Sequence, residues 1–109
     1  MRMNRRAFSL APTVAAPPVV GGTYLVKIWN IAAGGDWNSA VFPDGVYGSF
    51  EEGATVEVDL NDDSDIIRIA NVTSYNSPSV KVSYQQLDDL RVSFTMPGFD
   101  VAVEVETNY

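Results

Sequence analysis

Leu90-Arg91-Val92-Ser93-Phe94-Thr95-Met96-Pro97-Gly98-Phe99-Asp100-Val101-Ala102-Val103-Glu104-Val105-Glu106 is two strands with a turn between them. Side chains of a strand alternate between its two faces, so residues of like parity share a face. That rule sets Leu90, Val92, Phe94 and Met96 against Arg91, Ser93 and Thr95. It likewise sets Val101, Val103 and Val105 against Ala102, Glu104 and Glu106. Between them, Pro97-Gly98 suits the centre of a type II turn, Pro fixing φ and Gly taking φ > 0. Asp100 can cap that turn before the second strand.

The same alternation recurs upstream. Thr23 to Trp29 puts Tyr24, Val26 and Ile28 on one face, and Ala54 to Leu60 sets Ala54, Val56, Val58 and Leu60 against Thr55, Glu57 and Asp59. Ser79 to Tyr84 sets Val80, Val82 and Tyr84 against Lys81 and Ser83. A further strand over Asp65 to Ala70 turns Ile67 and Ile69 inward, and a short one runs over Val46 to Phe50. Turn-forming clusters separate these runs: Gly34-Gly35-Asp36, Pro43-Asp44-Gly45, Glu52-Gly53, Asn61-Asp62-Asp63 and Asn76-Ser77-Pro78. No stretch carries the period of a helix. One polar face per strand points to antiparallel sheets with a solvated side. The expectation is an all-β fold, a small antiparallel β-sandwich or open barrel of six to seven short strands over residues 23–109.

Residues 1–22 differ in kind. Pro12, Pro17 and Pro18 forbid a continuing helix, and Gly21-Gly22 reads as a hinge into the first strand. This is an extended N-terminal arm, able to reach on the order of 70 Å when stretched. Charge divides at the same boundary. The arm holds Arg2, Arg5 and Arg6 and no acid, giving +3; the body holds four basic residues against fourteen acids, giving −10. A basic arm on an acidic body suits contact with something acidic, a copy of the body included. In that role Phe8, Val14, Val19 and Val20 would bury apolar surface while the arginines pair with carboxylates. The acidic body disfavours nucleic acid, which requires clustered Lys and Arg. Asn4-Arg5-Arg6-Ala7-Phe8-Ser9-Leu10 also has the look of a twin-arginine export signal, but the apolar stretch that should follow is short and broken by prolines.

Three segments together resemble the β-repeat modules of bacterial surface proteins, the InlB B-repeat-like domains. They are Tyr24-Leu25-Val26-Lys27-Ile28, Glu52-Gly53-Ala54-Thr55-Val56-Glu57-Val58, and the closing Phe94-Thr95-Met96-Pro97-Gly98-Phe99-Asp100-Val101-Ala102-Val103. Between Ile66 and Gln86 the sequence departs from that pattern, and one copy is present where such repeats run in tandem. The resemblance implies an extracellular or surface-exposed adhesion or spacer domain without enzyme activity or cofactor.

Chemistry-bearing residues are few. The chain has neither cysteine nor histidine, so disulfides, thiolate metal sites and the commonest general base are absent. Glu51-Glu52 and Asp88-Asp89 are adjacent in sequence, which on a strand points them to opposite sides. No serine stands in a nucleophile-elbow pattern and no glycine-rich phosphate loop is present. The expectation is no enzyme and no cofactor. Asp59, Asn61, Asp63 and Asp65 have the spacing of the first half of a calcium loop, but Ser64 replaces its glycine and Ala70 its closing glutamate, so a solvated acidic turn is the better reading. Trp29, Trp37, Phe42, Tyr47 and Phe50 fall close together, more than a small sheet easily buries, and suggest an exposed aromatic anchor.

These features point to a non-catalytic structural protein that binds protein: a decorating, cementing or fibre-base subunit of a virion, as in a bacteriophage, docking by its arm and forming an oligomer in its assembly. A secreted or cell-surface adhesion module that binds a host glycan or protein is the alternative, and a filament subunit with arm exchange a further one.

Overall fold

The computed structural model describes residues 22–108. The arm residues Arg2, Arg5, Arg6, Phe8, Val14, Val19 and Val20 lie outside the described residues. Eight strands follow in chain order: β1 (Thr23–Asn30), β2 (Gly35–Asp36), β3 (Val46–Glu51), β4 (Thr55–Asp59), β5 (Ile66–Ser74), β6 (Gln85–Asp88), β7 (Arg91–Thr95) and β8 (Val101–Thr107). They form two sheets, one of five strands and one of three. In the larger, β8 lies between β1 and β5, while the outer edge of β1 takes β3 along its first half and β2 at its end. In the smaller, β7 lies between β4 and β6.

The sheets enclose one core. Val26 and Ile28 of β1, Ile69 and Val72 of β5, and Val101, Val103 and Val105 of β8 meet Val56 and Val58 of β4 and Val92 and Phe94 of β7. Each such side chain contributes about 1.5–3 kcal/mol on burial. Leu60 and Met96 close the ends. The all-β sandwich anticipated from alternation is present, and Phe94 and Met96 face inward as their parity requires.

Five details differ from the sequence expectation. First, β1 and β8 pair in parallel, Val26 opposite Val101 through Asn30 opposite Val105. Parallel neighbours need a long crossover, and here the rest of the domain supplies it. Every other pairing among the described strands is antiparallel. Second, β7 and β8 are not a hairpin, since they belong to different sheets. Pro97 to Asp100 carries the chain across the core, so Gly98 does not take positive φ and no type II turn forms. Asp100 instead reaches back to β1, where its Oδ1 accepts the Leu25 N–H at 2.8 Å.

Third, residues 79–84 do not form a strand. Val80 N–H closes a turn on the Ser77 carbonyl at 2.8 Å, only Lys81 bridges to Thr73, and Val80 is left exposed. Strand geometry resumes at Gln85, beyond the predicted run. Fourth, β5 bulges between Ile66 and Arg68 and again between Ile69 and Asn71. A bulge adds a residue and resets parity. Ile66, Ile69 and Val72 therefore point inward, and Ile67 outward. Fifth, the strand count is eight rather than six to seven, because β2 and β6 were not anticipated.

Candidate functional site

The site is built on the outer face of the larger sheet. With Val26 and Ile28 committed to the core, parity sends Lys27 and Trp29 out. Register then assembles two rows across the strands. Asp36, Trp29, Glu104 and Asn71 stand side by side, as do Lys27, Ala102, Thr73 and Lys81. Neighbouring strands lie about 4.8 Å apart, so adjacent members of a row touch. Ala102 and Thr73 are small, and larger side chains rise around them. The result is a pocket of about 70 Å³, lined by Trp29, Tyr75, Pro78, Glu104, Ala102 and Thr73 with Ser74. Its floor is buried although the face is otherwise solvated: Ala102 is 4% exposed and Thr73 0%.

Hydrogen bonds hold the aromatic wall in place. The Tyr75 hydroxyl donates to both carboxylate oxygens of Asp36, at 2.8 and 2.9 Å. Asp36 Oδ2 also accepts from Lys27 Nζ at 3.0 Å, and that ammonium lies 5.0 Å from the centre of the Tyr75 ring. The hydrogen bond to Asp36 raises the Lys27 pKa. The bond to Asp36, and then burial, raise that of Tyr75, so the phenol stays protonated and donating at neutral pH. Pinned in this way, the Tyr75 ring meets Trp29 edge to face, 6.1 Å between centroids and 77° between planes, an arrangement that aromatic quadrupoles favour.

Charge on this face is neutralised at two places and left open beside the pocket. Asp36 is paired with Lys27, and Glu106 holds the Arg68 guanidinium through two bonds, at 2.7 and 3.0 Å. The Glu104 carboxylate, at the pocket rim beside Trp29, has no hydrogen-bond donor or cation among the described residues. A preorganised aromatic wall beside an unpaired carboxylate can bind a cationic or hydroxyl-rich group.

The five aromatics expected as one exposed anchor are dispersed. Trp37 and Phe42 are core residues. The Trp37 indole N–H donates to Asp63 Oδ2 at 2.8 Å, and the Ser39 hydroxyl donates to the same oxygen at 2.7 Å. Tyr47 and Phe50 lean on the core from its edge, Tyr47 lying 5.8 Å from Phe42. The Tyr47 hydroxyl donates to the Glu57 carbonyl and accepts the Asp59 N–H, each at 3.1 Å, tying β3 to β4 across the sandwich. Of the five, Trp29 alone is not packed against the core, and its partner is Tyr75, which the sequence reading missed. Tyr75 follows the last residue of β5 and precedes the Asn76-Ser77-Pro78 turn. Its presence at the site depends on β5 reaching Ser74, which the alternation up to Ala70 did not disclose.

The acidic turn has local uses. Asp59 Oδ1 accepts the Asn61 N–H and side-chain amide, at 3.0 and 2.6 Å. The bond from the Asn61 N–H lowers the Asp59 pKa most. Asp63 Oδ1 accepts the Asp65 N–H at 3.1 Å, while Oδ2 faces Trp37. Among the described residues no three acidic side chains stand where they could hold a metal ion. Among them also, no helix is long and apolar enough to cross a membrane.

No family model, curated protein or solved structure matches the chain.

Proposed function

We propose that this protein is a non-catalytic assembly subunit, of the kind that decorates, cements or forms the fibre base of a phage virion, and that its N-terminal arm docks it on a neighbouring subunit. The observation that carries the reading is the partition of charge: three arginines without an acid in residues 1–22, and a body of net −10 from four basic residues against fourteen acids. A chain divided in this way attracts copies of itself end to side. The described core runs from Val26 to Val105. On this reading arm and body do separate work, the one docking and the other displayed.

The test is the mass of the full-length chain by light scattering as salt is raised, beside a chain lacking residues 1–21. Expected are defined oligomers at low salt that dissociate as ionic strength screens the arm, and a folded monomer without the arm. A full-length monomer at every salt concentration, with no binding to capsid or tail proteins, would sink the reading.

One observation favours a second reading, that of a surface adhesion module for a glycan or protein: the Trp29–Tyr75 pocket is rigid, aromatic and open. The β-repeat resemblance supports the same alternative. It predicts binding by the body alone, with the arm dispensable.

A further inference from the structure

We infer that the pocket on the outer sheet face is the seat for the arm of a second copy of this chain. A guanidinium of Arg5 or Arg6 lies there against the Trp29 ring, between Tyr75 and Pro78, and pairs with Glu104. The inference rests on the assembly reading and names its socket. It draws on three properties of the molecule.

The first is size. Pockets for small-molecule ligands run to about 300–1,000 Å³. The open pocket here, of about 70 Å³, is nearer the size of a side-chain head group.

The second is chemistry. An aromatic face next to an unpaired carboxylate recognises a planar cation, which stacks on the ring while donating hydrogen bonds in its own plane. Glu104 is the carboxylate at this pocket without a partner among the described residues, whereas Asp36 and Glu106 are already paired. Of the five arginines in the chain, Arg68 and Arg91 are held by carboxylates of the body. The others are those of the arm.

The third is reach. The sixteen residues that follow Arg6, through Gly22, can span up to roughly 55 Å, enough to reach a neighbour.

The experiment is a complementation, read as mass by sedimentation of the full-length chain over a range of concentrations. Wild type should self-associate. Glu104→Gln, which breaks the socket, and the double variant Arg5→Gln/Arg6→Gln, which breaks the plug, should each weaken association at least tenfold. Measured at concentrations where the wild type is monomeric, thermal unfolding of both variants should stay at the wild-type temperature, since Glu104 lies on the solvated face. Mixed in equal amounts, the two variants should recover complexes of two copies, because each supplies the part the other lacks.

Association that depends on the arginines but not on Glu104 overturns the socket and leaves arm-driven assembly standing. Association indifferent to both variants overturns the assembly reading as well. A wild type that stays monomeric overturns the second copy as occupant. Glycan binding by that monomer, lost in Glu104→Gln, would reassign the pocket to a sugar.

Discussion

Trp29 and Trp37 are the two tryptophans of the chain, and they have opposite fates. Trp37 is buried at one end of the core, its indole N–H satisfied by a carboxylate that accepts three hydrogen bonds in all. Trp29 stands on the outer face, its ring met edge-on by a tyrosine and its neighbour Glu104 unpaired. The difference teaches that aromatic residues at a site are recognised by what the fold leaves unsatisfied around them, and not by residue type. Around Trp37 every polar demand is met internally. Around Trp29 one charge is left over.

The comparison can be broken at its strongest point first. Trp37→Ala should cost about 3–5 kcal/mol, the range for removing a large core aromatic, measured by urea unfolding. Trp29→Ala should change stability by no more than about 1 kcal/mol yet abolish binding at the pocket. Equal costs at the two positions would erase the distinction.

Gly45 lies under Trp37. It has φ of +71°, and a Cβ there would collide with the Trp37 carbonyl oxygen and press on that of Ile28 at 3.2 Å. Gly45→Ala should cost about 2–4 kcal/mol, from strained backbone together with the displaced carbonyls. The same denaturation experiment checks it, and a neutral result would mean that the Trp37 loop yields freely.

Asp63→Ala leaves the buried indole N–H without its acceptor and should cost about 2 kcal/mol. Burial pushes the Asp63 pKa up, but hydrogen bonds from Ser39, Trp37 and the Asp65 N–H together hold it below the ordinary value. The folded pKa is thus depressed. Its contribution is fully present above about pH 4 and fades as acidification passes the depressed value. The gap between wild type and Asp63→Ala should close in strong acid, and a gap that widened there would reverse the assignment. Smallest is Tyr75→Phe, which frees the ring from Asp36. Stability should move by less than about 0.5 kcal/mol, while affinity at the pocket falls as its wall loosens.

Much of this was legible in the sequence. Once Val26 and Ile28 are assigned to the core, parity alone places Trp29 outside, and the same rule places Glu104 on the outer face of β8. What alternation cannot carry is pairing at a distance. Nothing in Tyr24 to Ile28 says that β8 will lie parallel beside it, and it is this pairing that brings Glu104 to Trp29. Trp37 is in no strand of useful length, so parity had no hold on it. Its burial depends on Asp63, 26 residues away. The bulges of β5 shifted Ile67 outward, and pairing with β8 carries the strand on to Ser74, which is how Tyr75 arrives at the site unannounced.

The parallel pairing of β1 and β8 has a mechanical consequence. Tension applied between Thr23, where β1 begins, and Thr107, where β8 ends, pulls the two strands lengthwise in opposite directions. The hydrogen bonds from Val26–Val101 to Asn30–Val105 are then loaded together, in shear, and cannot open one after another like a zipper. A subunit tethered at one end and pulled at the other meets that force along its most resistant axis.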